Sequence, residues 1–115
     1  MALLETTDVI SLGPLERIPR GEGRTFDVDG DLVAVFRTAS GSVFATQATC
    51  PHRGGPLADG FVGAGKVICP LHAFSFELAT GAPLGHDCPA LRTYAVTVDA
   101  EGEICLALGS PEPVT

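Results

Sequence analysis

Basic side chains are scarce in this chain. Seven Lys and Arg stand against 14 Asp and Glu, a formal charge of −7 over 115 residues. A surface of that sign repels nucleic-acid phosphates and anionic lipid, so neither nucleic acid nor membrane is expected as a partner; a protein with a basic docking face is favoured. Long apolar runs are missing too. No stretch of about 18 apolar residues occurs, which argues against a membrane-spanning helix. The opening residues, MALLETTD, have neither the basic start nor the apolar core of an export signal, so the expected location is the cytoplasm. Helical periodicity of useful length is absent, apart from one possible turn at Leu15-Glu16-Arg17-Ile18. No internal repeat and no nucleotide-binding motif appears. With neither, the chain is not expected to be a complete catalyst on its own.

Turn formers and short alternating segments are abundant. Fourteen Gly and nine Pro punctuate the sequence, and the pattern between them is β throughout. Val9 to Leu12 is a first strand. Arg24 to Val28, Leu32 to Arg37 and Val43 to Thr46 form a three-stranded meander through turns at Asp29-Gly30-Asp31 and Ser40-Gly41-Ser42. Phe61-Val62 and Val67-Ile68 flank a Gly63-Ala64-Gly65-Lys66 turn. Phe74 to Leu78 alternates, and Tyr94 to Val98 pairs with Glu103 to Leu108 across Ala100-Glu101-Gly102. The expected fold class is all-β, a single domain over residues 1–115 on an antiparallel sandwich or barrel base. Ser110 to Thr115, with two prolines, reads as a frayed tail.

Two segments carry the chemistry: Cys50-Pro51-His52 and Cys69-Pro70-Leu71-His72, with 16 residues between His52 and Cys69. Each follows an apolar strand and supplies one thiolate and one imidazole. Zinc sites of the Cys₂His₂ type usually pair Cys with Cys and His with His, unlike this alternation. The alternation suits a 2Fe–2S cluster with two sulfur ligands on one iron and two nitrogen ligands on the other, the ligand set of a Rieske centre. Cys50 and Cys69 would hold the inner iron, His52 and His72 the outer one. A zinc-stabilised interaction module is the alternative from another class. Pro51 and Pro70 stiffen the loops. Gly54 and Gly55 would let the backbone approach the sulfides and offer N–H donors, and Leu57 and Phe61 are expected to pack beneath. Two Fe³⁺, two sulfides, two thiolates and two neutral imidazoles sum to zero charge, against −2 with four thiolates, so one electron enters more easily than in an all-Cys ferredoxin. Reduction should raise the pKa of the outer imidazoles, because added negative charge favours imidazolium.

The run CPHRGGPLADG…VICPLHAFSFELATG resembles the Rieske ferredoxin family, above all the small subunit of NAD(P)H-dependent assimilatory nitrite reductase. Ferredoxin components of aromatic-ring dioxygenases are similar. The resemblance covers about Val43 to Arg92 most strongly, and His86-Asp87-Cys88-Pro89-Ala90-Leu91-Arg92-Thr93-Tyr94 tilts it toward the nitrite reductase type. It implies a small cluster-binding subdomain, about residues 46–90, inserted into the β base, with the outer histidines near the surface at one tip. It implies a single Rieske 2Fe–2S cofactor, one-electron transfer, and a redox partner: a flavoprotein reductase, a sirohaem subunit or an oxygenase.

Rieske proteins of membrane cytochrome complexes place a disulfide cysteine in each loop, where this chain has Gly55 and Leu71. They also place Ser and Tyr hydroxyls near the cluster, where this chain has Phe74 and Phe76. Fewer donors to sulfur stabilise the reduced state less, so a potential at the low end of the Rieske range is expected, about −150 mV. Cys105, on an alternating strand, reads as a small core residue. Cys88 reads as part of a third loop shielding the cluster, and His86 as an exposed loop residue with a docking role as the alternative. Arg53 is a candidate for partner recognition.

Overall fold

The structure, a computed structural model, describes residues 9–28, 30–51, 54–71 and 73–107. Ten strands run through them: β1 (Val9–Pro14), β2 (Glu22–Val28), β3 (Asp31–Arg37), β4 (Val43–Gln47), β5 (Phe61–Gly63), β6 (Lys66–Ile68), β7 (Ser75–Glu77), β8 (Pro83–Leu84), β9 (Thr93–Val98) and β10 (Glu103–Ala107). Single 3-10 turns occupy Leu15–Arg17 and Leu57–Asp59. Each expected strand is present. The short β8 is an addition, and the expected tail from Ser110 lies outside the described residues, as does Asp29 of the first hairpin turn.

The strands form two antiparallel sheets. The larger has six strands in the order β1-β10-β9-β4-β3-β2, and the smaller has four in the order β5-β6-β7-β8. The β2–β3 hairpin pairs continuously from Glu22 with Arg37 to Val28 with Asp31. The β5–β6 hairpin turns through Ala64 and Gly65, both with positive φ (+52° and +77°), as a two-residue I′ turn requires.

Strand β4 pairs with β9 through Ala45 opposite Tyr94 and Thr46 opposite Thr93. Residues 48–92 therefore leave the large sheet and return to it at neighbouring points. This excursion carries the small sheet and both cysteine loops. Gln47 joins its two ends. The Gln47 N–H donates to Arg92 O at 2.8 Å, and the Arg92 N–H donates to Gln47 Oε1 at 2.8 Å.

Side-chain alternation on β3 explains why that strand reads as an unbroken apolar run. Val33 and Val35 face one core, with Val28, Ala45, Ile104 and Leu106. Ala34 and Phe36 face a second core, with Leu57, Val67, Phe76, Leu78 and Leu91 from the insertion. All four β3 residues are fully buried. A strand covered on both faces cannot spare a polar side chain on either.

Candidate metal centre

Both cysteine loops are closed in the same way. The Cys50 N–H donates to Gly55 O at 2.8 Å, and the Cys69 N–H donates to Phe74 O at 2.7 Å. Each bond spans five residues. In each loop the fourth residue after the cysteine is left-handed: Gly54 at φ +74° and Ala73 at φ +57°. A residue with positive φ reverses the chain so that the carbonyl after it can reach back to the cysteine. In the first loop the Gly54 N–H also donates to Cys50 O at 2.7 Å, so that donor is already used within the loop instead of facing a sulfide. Thr49 bridges Pro56 at the loop base.

The two thiols come together at the inner end of these loops. Cys50 and Cys69 are each 2% exposed and belong to one buried cluster. Burial pushes the Cys69 thiol above its ordinary pKa, and the Cys50 thiol beside it adds to the rise, while the Leu71 N–H pulls the other way. Two adjacent buried sulfurs disfavour charge unless a cation sits with them. The backbone runs close against them: an ideal Cβ on Gly55 would lie 2.8 Å from Cys69 Sγ and 3.0 Å from Leu71 Cγ. The two positions that a cytochrome-type disulfide would occupy are thus neighbours, filled here by a hydrogen and a leucine. Paired soft donors, low exposure and a backbone without a side chain at the closest approach suit a metal–sulfide group.

His52 and His72 lie outside the described residues, as does Arg53. Around the cysteines, Leu57 is fully buried as expected. Phe61 is 75% exposed on the edge strand β5 and does not pack beneath the site. Its partner Val62 packs against the insertion core instead, because period-two alternation turns only one of the pair inward. Phe76 is fully buried core, and Phe74 packs against that core from its margin.

Cys88 is half-buried and packs against the cluster that contains Cys50 and Cys69. Burial raises its pKa first, with Cys50 and Asp87 adding to it. His86 is not an exposed loop residue. It is half-buried, with Nε2 2.8 Å from Ser75 O, and its ring stacks on Phe74 at 4.5 Å and 30°. Cys105 also departs from expectation. On β10 the fully buried residues are Ile104 and Leu106, and Cys105, between them, points to the other face with Sγ 3.8 Å from Asp99 Oδ2. Gln47 and Arg92, which close the neck of the insertion, were not singled out from the sequence. The polar Gln47 at the end of a strand whose middle residues, Ala45 and Thr46, are buried was the available signal.

A β frame that presents two cysteine loops of matched closure defines a small metal-cluster protein. The family model described as the Rieske [2Fe-2S] domain matches residues 8–96, and the chain belongs to that family. The ferredoxin component of the naphthalene 1,2-dioxygenase/salicylate 5-hydroxylase systems of a Ralstonia species is 31% identical over 98 residues, covering 82% of this chain and 90% of that protein. The ferredoxin of carbazole 1,9a-dioxygenase from Nocardioides aromaticivorans is 36% identical with a TM-score of 0.77, covering 86% of this chain and 96% of the other. A Mycobacterium tuberculosis protein assigned as an NADH-dependent nitrite reductase small subunit superposes with a TM-score of 0.84 at 26% identity, over 93% of this chain and all of that one. The cofactor is accordingly a Rieske-type 2Fe–2S cluster and the protein a Rieske-type electron carrier, which sets the zinc module aside. Among the described residues no helix is long and apolar enough to cross a membrane.

Proposed function

We propose that Cys50, His52, Cys69 and His72 hold the cluster and that this chain is the ferredoxin component of an oxygenase system, a cytoplasmic carrier between a reductase and a terminal oxygenase. One observation supports the ligand set above others: the buried Cys50–Cys69 pair, each at the base of a loop of the same closure, with the Gly55 backbone so close to Cys69 Sγ that only a residue without a side chain fits there. When bound, the cluster accepts and returns one electron. The chain's part is to keep it in place. On binding, Cys50 and Cys69 would lose their protons and supply thiolates from a buried site, and His52 and His72 would complete the set as neutral ligands. Phe74 and Phe76 offer no hydroxyl to the sulfurs, which fits the low end of the Rieske potential range.

Sequence identity to the oxygenase ferredoxins favours this partner. The small subunit of a nitrite reductase is the second reading, favoured by the superposition over the whole of such a chain and by the segment from His86 to Tyr94. Reconstitution decides between them. The reduced protein, mixed with a ring-hydroxylating oxygenase or with a sirohaem nitrite reductase, should be reoxidised in the presence of the first enzyme's substrate; reoxidation only by the second would reverse the order. The ligand set is tested on anaerobically purified protein: Cys69→Ser and His72→Ala should each abolish the normal visible and reduced-state EPR spectrum, and an unaltered spectrum in either would refute the assignment.

A further inference from the structure

His86 is a ligand to nothing in the proposed set, yet both of its ring nitrogens are engaged. Nε2 lies 2.8 Å from Ser75 O. A carbonyl only accepts, so Nε2 carries the hydrogen. The Cys88 N–H donates to Nδ1 at 3.3 Å, so Nδ1 carries the lone pair. These partners select a single neutral tautomer. The ring is also held on its surfaces, stacked on Phe74 at 4.5 Å and set edge-on to Phe76 at 4.9 Å and 80°.

These contacts connect two parts of the site. On one side they reach the second cysteine loop, because Phe74, whose ring stacks on His86, also accepts the Cys69 N–H on its carbonyl at 2.7 Å. On the other side they reach residues 85–90, whose Cys88 packs against the cluster of buried residues containing Cys50 and Cys69. We propose that His86 is a positioning residue for the iron–sulfur centre: a latch that ties the third loop to β7 and so fixes the packing over both cysteines. The proposal rests on the ligand set above. Outer groups that orient metal ligands commonly change metal retention by 10–100-fold when removed, and they alter the electronic environment of the site as well.

The test compares the holoprotein with His86→Phe, which keeps an aromatic ring and removes both hydrogen bonds, and with His86→Gln, which keeps an N–H able to reach Ser75 O. His86→Phe should lose iron to an external chelator roughly tenfold faster and show a displaced reduced-state EPR spectrum. His86→Gln should recover part of the difference in both. A wild-type release rate and spectrum in His86→Phe would overturn the proposal. Faster release with an unchanged spectrum would overturn it too, by reducing His86 to general scaffolding. If His86→Phe does not fold, His86→Gln is judged by the same two readouts. A wild-type protein lacking the Rieske spectrum would refute the ligand set itself, a result distinct from a normal wild-type spectrum shared by the variants.

Discussion

Gly55 stands against Cys69 so closely that a side-chain carbon on the glycine would lie 2.8 Å from the sulfur. Real Cβ atoms do not approach sulfur so nearly, and the same carbon would meet Leu71 at 3.0 Å. Gly55→Ala must therefore displace the Cys69 sulfur or a loop residue. Overpacking of this kind costs about 1–3 kcal/mol, and here the strain falls on the proposed cluster site. The variant should keep its β-sheet circular dichroism while its iron and sulfide content per chain drops well below that of the wild type. Full iron content with a normal spectrum would show that the loop yields freely.

The matched left-handed residues in the two loops allow a paired experiment. Nothing lies within 4 Å of a Cβ built on Gly54, so Gly54→Ala tests φ alone. It should destabilise the holoprotein by about 1 kcal/mol. Ala73→Gly relieves the same strain in the other loop and should be close to neutral or slightly stabilising, since the gain is offset by greater freedom of the unfolded chain. Urea midpoints of the two variants should move in different directions or by clearly different amounts.

Gln47 holds the neck of the insertion. Gln47→Ala leaves the Arg92 N–H without its acceptor and removes the donation from Nε2 to Thr49 O at 2.8 Å. The expected loss is about 1–2 kcal/mol, and because Thr49 immediately precedes Cys50, a small displacement of the reduced-state spectrum should accompany it. A loss within error of zero in chemical denaturation would indicate that water replaces both bonds without cost.

Cys105 gives a pH-dependent prediction. Burial raises its pKa, and the carboxylates of Asp99 and Glu103 add to the rise. A raised thiol pKa means less thiolate at a given pH, so alkylation of Cys105 near pH 8 should be slower than for an ordinary exposed cysteine and should gain speed only at higher pH. Asp99→Asn removes one negative charge while keeping an oxygen to accept the Glu101 and Glu103 N–H groups, which Asp99 Oδ1 now takes at 3.0 and 2.9 Å. It should speed the alkylation a few-fold, as read by mass spectrometry. Cys105→Ser should leave iron content unchanged.

The strands were legible because their signals are local. Alternation marks β2, an apolar run bounded by turn residues marks β3, the Ser40-Gly41-Ser42 turn marks the start of β4, and the residues Ala64-Gly65 suit the turn that joins β5 to β6. Cys50 and Cys69 stood out because no structural need for two Cys-Pro segments competes with ligation. Features set by tertiary geometry were less visible. Phe61 was expected beneath the site, but alternation lets only one of Phe61 and Val62 face inward, and the smaller residue took that side. On β10 the same period put Cys105 opposite Ile104 and Leu106, whose larger apolar surfaces claim the core. The placement of His86 had little local signal, because Ser75, Phe74 and Phe76, which hold its Nε2 and its ring faces, sit ten or more residues earlier and only the Cys88 N–H is near in sequence. The match between the loops, in closure and in the left-handed fourth residue, was hidden by unlike sequence: Gly54 performs in one loop what Ala73 performs in the other.

Strand β3 has a further consequence. Its two faces belong to different cores, so the layers it separates lie one strand apart and lose their cover together. A chain deprived of residues 48–92 would present Ala34 and Phe36 to water, and an isolated insertion would lack the wall that Phe36 supplies. Neither part is a module that could be lifted out and used elsewhere. Base and insertion should melt in a single transition, and occupancy of the metal centre should be felt as far away as β1 and β10, through the thickness of one shared strand.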